Sequence, residues 1–236
     1  MPYGFLKLSF AVVAILVCSC GGISIAEHQD AATLRQGQVS FSANASTGPD
    51  EWGRGPKARF YKAVSPSLVE PRFTFGLSDR LNFGISVWSG HLGPIIVTKV
   101  VSGIDVDAMD IGLRGMMKYR FTSDESKYQV ALITNYTEYL YLGDIAERFA
   151  WGVSPAIILS RELTDEFSVY TISKYNFMTV EHRFSPFPSI HLGLTQLIKQ
   201  TKWHFEFIYS YVRPPLSEAK RGHVLTLSGG RTWTLN

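Results

Sequence analysis

Cysteine is nearly missing from this 236-residue chain. Both copies, Cys18 and Cys20, fall in the first twenty residues, so the body of the chain holds no disulfide and no thiolate metal site. Charge is also scarce. Only 18% of residues are ionic, the net charge is +3, and no block of like charges occurs, which excludes an electrostatic case for nucleic acid or an acidic partner. The six histidines (His28, His91, His182, His191, His204, His223) form no His-x-His or His-Glu-x-x-His spacing, so no metal site is expected. No cofactor motif stands out. Gly229-Gly230 has no helix after it and is not a phosphate loop. Long apolar runs are absent too. The longest, Leu8 to Val17, spans about ten residues, too short to cross a bilayer as a helix.

That run, with Lys7 before it, has the form of a secretion signal. Two processing sites compete. Ser24-Ile25-Ala26 is a small-x-small site that starts the exported chain at Glu27, making residues 1–26 the signal. Val17-Cys18-Ser19-Cys20 resembles the lipobox of bacterial lipoproteins, with Cys20 as the lipidated residue and 1–19 removed. Residues 27–37 are polar and read as a short, flexible periplasmic lead before a single domain over 38–236.

What is present is alternation. In 71–88, Phe73, Phe75, Leu77, Leu81, Phe83, Ile85 and Val87 alternate with Arg72, Thr74, Gly76, Ser78, Asn82, Gly84 and Ser86. The phase survives the turn Leu77-Ser78-Asp79-Arg80, which is the pattern of a β-hairpin with one apolar and one polar face. Residues 109–121 set Ile111, Leu113 and Met117 against Asp110, Arg114, Lys118 and Arg120. Residues 203–211 set Phe205 and Phe207 against His204 and Glu206. The segments 127–139, 150–161 and 166–177 alternate less strictly. Ten strands are predicted: 38–45, 69–77, 81–88, 109–121, 127–139, 150–161, 166–177, 188–198, 202–212 and 223–235. The pieces 58–64 and 94–101 leave a count of twelve open, and the range is eight to twelve. Pro155 inside a strand implies a bulge or a weakened strand. Short turns at 78–80, 122–127, 163–165 and 199–202 alternate with longer links at 46–68, 89–108, 140–149, 178–187 and 213–222. No amphipathic helix of three turns follows the signal.

Several strands reach the nine to eleven residues that a tilted strand needs to cross a bilayer. Aromatics make up 13% of the chain and gather at strand ends, as interface girdles do. On these patterns and tight turns the chain resembles the small bacterial outer-membrane β-barrel proteins over most of 38–235. The resemblance implies an all-β, transmembrane, up-and-down antiparallel barrel of about ten strands in the outer membrane of a Gram-negative-type bacterium. It also implies outer-membrane lipid and the barrel-assembly machinery as partners. One departure is the C-terminus. Those proteins commonly end in an aromatic residue, and here Trp233-Thr234-Leu235 is followed by Asn236.

In such a barrel Arg72, Asp110, Arg114, Lys118, Arg120, Glu138, Lys174, His204 and Glu206 face the lumen. Phe73, Phe75, Phe83, Ile85, Leu113, Phe205 and Phe207 face lipid. The positive bias of the lumen favours anions, and a ten-strand barrel lies near the size that side chains fill. The expected role is structural, in surface interaction, or as a narrow channel. No catalytic residue is expected: His204 with Glu206 reads as a lumen hydrogen-bond network, and no nucleophile motif is present. Two alternatives stand beside this. One is a periplasmic lipid-anchored, lipocalin-like binding protein, in which Phe83, Leu113 and Phe205 would point inward. The other is a lipid-modifying enzyme at the membrane rim, using Ser189-x-His191 and Ser210.

Overall fold

A computed structural model describes residues 27, 29–47, 68–88, 109–142, 148–180, 183–199, 201–212 and 222–235. It contains ten strands: β1 Val39–Thr47, β2 Leu68–Ser78, β3 Leu81–Trp88, β4 Met109–Arg120, β5 Tyr128–Leu142, β6 Arg148–Glu162, β7 Phe167–Val180, β8 Arg183–Ile198, β9 Thr201–Val212 and β10 Gly222–Leu235. Each strand pairs antiparallel with its neighbours in sequence, and β1 pairs with β10 to close the barrel. Closure leaves no sheet edge, which is what allows strands to sit in lipid without unpaired backbone groups. The pieces 58–64 and 94–101 lie outside the described residues.

The alternation sets which face is which. In β3 the side chains of Asn82, Gly84, Ser86 and Trp88 are buried while Phe83, Ile85 and Val87 are exposed. Phe83 (38%), Leu113 (48%) and Phe205 (53%) all point out of the barrel, so the inward-facing arrangement of a lipocalin does not apply. The outer face is apolar, while the lumen holds most of the buried polar and charged side chains beside one apolar cluster.

Two expectations are corrected. Pro155 causes no bulge. Register is unchanged across it on both sides, with Thr134 opposite Pro155 and Val153–Phe177 and Ala156–Lys174 in one frame. The missing N–H only interrupts the ladder locally. The predicted long link at 178–187 is mostly strand, since β7 runs to Val180 and β8 begins at Arg183. Among the described residues β8 pairs with β9 from Ser189 onward, after Pro186 and Pro188. The prolines therefore occupy a stretch with described pairing on one side, where a missing donor is tolerated.

Candidate functional site: a lumen closed by the N-terminal lead

The lead does not hang free below the barrel. It enters the lumen from the end that carries the tight turns. Gln36 N–H donates to Asp79 Oδ1 (2.9 Å), Thr33 Oγ1 to the Asp79 carbonyl (2.6 Å), and Leu34 N–H to Asn82 Oδ1 (3.2 Å). Gly76 admits it: a Cβ there would lie 2.1 Å from the Arg35 carbonyl oxygen. Further in, Lys118 Nζ donates to the Asp30 carbonyl (3.3 Å), Gln29 Nε2 reaches Met116 Sδ (2.9 Å), and Ala31 N–H donates to Ser160 Oγ (3.3 Å).

Glu27 sits deepest and is fully buried. Its carboxylate accepts from Lys174 Nζ (2.5 Å) and Asn135 Nδ2 (2.8 Å), and its carbonyl from Arg72 (2.6 Å). Its N–H donates to Glu206 Oε1 (3.1 Å). The lead thus touches β2 through β7 and β9, which places it along the middle of the barrel. Composition alone predicted a flexible segment. What orders it is counter-charge, since Glu27 and Asp30 meet lumen cations, and small side chains at 31 and 32 that fit between the walls.

The ionic wall is a connected set. Glu70 Oε1 accepts from Arg72 (2.7 Å) and from Ser86 Oγ (2.6 Å), and Arg114 lies 3.3 Å away. Arg114 also stacks over the Trp88 ring at 5.5 Å. Among the described residues, the buried wall charges are Arg72, Arg114, Lys118, Arg120 and Lys174 against Glu70 and Glu206, and Arg120 also pairs with the exposed Asp124. That is five cations to two carboxylates, and the lead adds two more carboxylates, Glu27 and Asp30. Burial pushes the Asp30 carboxyl up, but Lys202, Lys118 and His204 outweigh it and hold the group down at about 2, from an ordinary 3.8. Beside Asp30 a polar cavity of about 80 Å³ is lined by Arg72, Lys118, Lys202, His204 and Thr232.

Glu206 has a different histidine partner in its hydrogen-bond network from the one expected. His204 does face the lumen, but it bonds Thr195 (3.2 Å) and Thr232 (3.1 Å). Glu206 instead pairs with His191 Nδ1 and accepts from the Tyr170 hydroxyl (3.1 Å). Gly193 makes room for Tyr170, since a Cβ there would meet its ring at 2.0 Å. The other ring nitrogen, His191 Nε2, is 3.1 Å from Ser189 Oγ. Serine, histidine and carboxylate therefore lie in the order of a nucleophilic relay. Ser189, His191 and Ser210 are buried in the lumen. Asn176 Nδ2 also donates to Ser189 Oγ (3.2 Å), and the lead lies against Glu206.

Of the residues expected in the lumen, Arg72, Arg114, Lys118, Arg120, Lys174, His204 and Glu206 are there. Glu138 is not. It pairs with Leu113 and Trp151 on the outer face, where it accepts from Tyr136 Oη (2.5 Å). Residues directly opposite in a ladder share a face, and both partners of Glu138 point out. The Asp110 side chain and Cys20 lie outside the described residues. Phe73, Phe75, Phe83, Ile85, Leu113, Phe205 and Phe207 all sit on the outer face. Glu70 was missed, though its i, i+2 spacing from Arg72 signals a shared face. Glu27, Asp30 and His191 carry no such signal.

The outer face ends in aromatic belts. Near the turn end, Arg231 lies over the Trp203 and Trp233 rings at 5.1 and 4.7 Å, Arg161 lies over Tyr128 at 5.2 Å, and Tyr119 packs edge-on to Phe121. Toward the other end Tyr175, Phe177 and Phe184 form a run of ring contacts.

No protein-family model matches the chain, and no curated protein matches it in sequence. Solved structures do match in fold. An outer membrane channel from Pseudomonas putida F1 is 9% identical, covering 89% of this chain and 100% of that one, with a TM-score of 0.49. The outer membrane protease OmpT from Escherichia coli is 7% identical, covering 84% and 94%, with a TM-score of 0.41. The N-terminal β-barrel domain of Pseudomonas aeruginosa OprF is 9% identical, covering 86% and 100%, with a TM-score of 0.38. The chain has the architecture of the small bacterial outer-membrane β-barrels.

Proposed function

We propose that this chain is an outer-membrane β-barrel offering a narrow, anion-favouring path for small polar solutes, and that its own lead closes the path. The observation that carries this is the buried ionic lumen occupied by residues 27 and 29–34 within an apolar exterior. When the lead is in place, its two carboxylates offset part of the wall's cationic excess. When it leaves, that excess faces water and draws anions. The belts of aromatic and arginine side chains serve as the contact with lipid at the membrane interfaces. Export through the signal and insertion by the barrel-assembly machinery belong to the same proposal.

The test is conductance across planar bilayers. The refolded barrel of residues 27–236 is expected to stay closed most of the time. A chain lacking 27–36 is expected to conduct, with anions more permeant than cations. Equal conductance of the two would overturn the closure and leave a structural or surface role.

On this view the chain is not an enzyme, and Ser189, His191 and Glu206 form a hydrogen-bond network that joins β8 to β9. Stoichiometric labelling of Ser189 by a serine-reactive phosphonate in the lead-deleted barrel would instead favour an acyl hydrolase working inside the lumen.

A further inference from the structure

The innermost contact of the lead is made by a main-chain nitrogen. Glu27 N lies 3.1 Å from Glu206 Oε1, with Glu27 fully buried. Sequence and structure meet at this atom, because Ser24-Ile25-Ala26 directly before it forms a small-x-small processing site. As an internal amide, Glu27 N carries one hydrogen. As a chain terminus it carries three and a positive charge.

The surroundings favour the second form. Glu206 is a buried carboxylate whose contacts include His191, the Tyr170 hydroxyl and this nitrogen. Two buried acceptors in the same cluster, Glu27 Oε2 and Asn135 Oδ1, have no donor among the described residues. Asn135 is tied to Glu27 through its amide, so both acceptors flank the end of the lead. Buried polar atoms without partners are costly, and added donors at this point would relieve them.

We propose that hydrolysis of the Ala26–Glu27 bond creates the locking group of the plug, a Glu27 α-ammonium paired with the Glu206 carboxylate in the barrel. The inference rests on the proposed closure of the lumen by the lead. One water is consumed. Ala26 leaves as a carboxylate, and the freed amine of Glu27 takes up a proton. Cleavage precedes barrel closure, so the new terminus is enclosed as the strands assemble around it. Processing at Cys20 would leave Glu27 as an internal amide, with neither the charge nor the additional donors.

The test has two parts. Intact-mass measurement of the protein from outer membranes is expected to give a chain starting at Glu27. A lipidated Cys20 start, or a cyclised pyroglutamate terminus, would overturn the proposal. Bilayer recordings then compare the chain beginning at Glu27 with one beginning a single glycine earlier, each with and without Glu206→Gln. A charge-assisted buried bond predicts openings about tenfold more frequent when either the glycine or Glu206→Gln is present. Adding the second change is expected to do little more. Equal opening with and without the glycine overturns the ammonium lock. If the lead-deleted barrel conducts no more than the intact one, the closure itself fails, whatever the glycine does.

Discussion

The lumen has two unlike walls. On β5 to β7 the inward side chains include Ala131, Ile133, Ala156, Ile158 and Ile172, which form an apolar cluster with Met116, Tyr170 and Ala31 of the lead. On β2 to β4 and β9 they include Glu70, Arg72, Arg114, Lys118 and Glu206. The first wall is held by close packing and the second by paired charge. The lead answers both: Ala31 joins the apolar cluster, Asp30 faces Lys202, and Glu27 spans the two, with its carboxylate on Lys174 of β7 and Asn135 of β5 and its main chain on Arg72 of β2 and Glu206 of β9. Turning the segment would take Glu27 from Lys174 and Asp30 from Lys202, which separates buried charges from their counter-charges.

The largest expected effect breaks the ionic wall. Glu70→Ala leaves Arg72 and Arg114 buried without the carboxylate they share. A loss of about 3–5 kcal/mol is expected, because removing one partner strands the others. Urea unfolding of the refolded barrel in lipid, followed by tryptophan fluorescence, measures it. An unchanged midpoint would mean that water already reaches this cluster and that the two walls differ less than their residues suggest.

Next comes the packed wall. Ile158→Ala removes a fully buried side chain from the apolar cluster and should cost about 2–4 kcal/mol in the same assay. Its neighbour Ile157 sharpens the contrast, being 51% exposed where Ile158 is 0%. Ile157→Lys should cost about 2 kcal/mol in a bilayer, where a lysine on the lipid face is penalised by depth. A soluble barrel would take the same change at no cost. Stability in lipid that ignores Ile157→Lys would therefore remove lipid from the outer face.

The two walls also explain what could be read from sequence. On β3 and β4 a polar lumen opposes an apolar exterior, so the alternation of Phe83 with Asn82, or Leu113 with Arg114, is clear and gives both strand and direction. On β5 to β7 the inward face is mixed, with Ala131, Ile133, Ile158 and Ile172 beside Asn135, Ser154, Lys174 and Asn176. Ile157 and Ile158 look alike in sequence and the phase blurs, so the sequence does not show that Glu138 shares the outer face with Leu113 and Trp151. The strand ladder as a whole was legible because backbone pairing and period-two burial are local. The plug was not. Glu27 and Asp30 are polar residues in a polar segment, and only the closed barrel brings Lys174, Asn135 and Lys118 around them. His191 was read with Ser189, but its pairing with Glu206 depends on the register between β8 and β9.

The smallest expected effect tests how the lead is seated between the walls. Asp30 faces Lys202 and Lys118 and lies near His204, and its carboxyl is held at about 2 against an ordinary 3.8. Glu27 is shifted the same way: burial raises it, and Lys174, Arg114 and Arg72 more than compensate. A carboxyl whose value is depressed on docking contributes fully above its ordinary value and loses that contribution as pH falls through the depressed one. Closure of the lumen should therefore be flat from neutral pH down to about 4, then weaken progressively toward about 2. Bilayer recordings over that range measure it, and Asp30→Asn should remove part of the acid-dependent opening while raising the basal opening slightly at neutral pH. Opening that instead begins near pH 6 would point to histidine. The seat would then not rest on the cations around Asp30 alone.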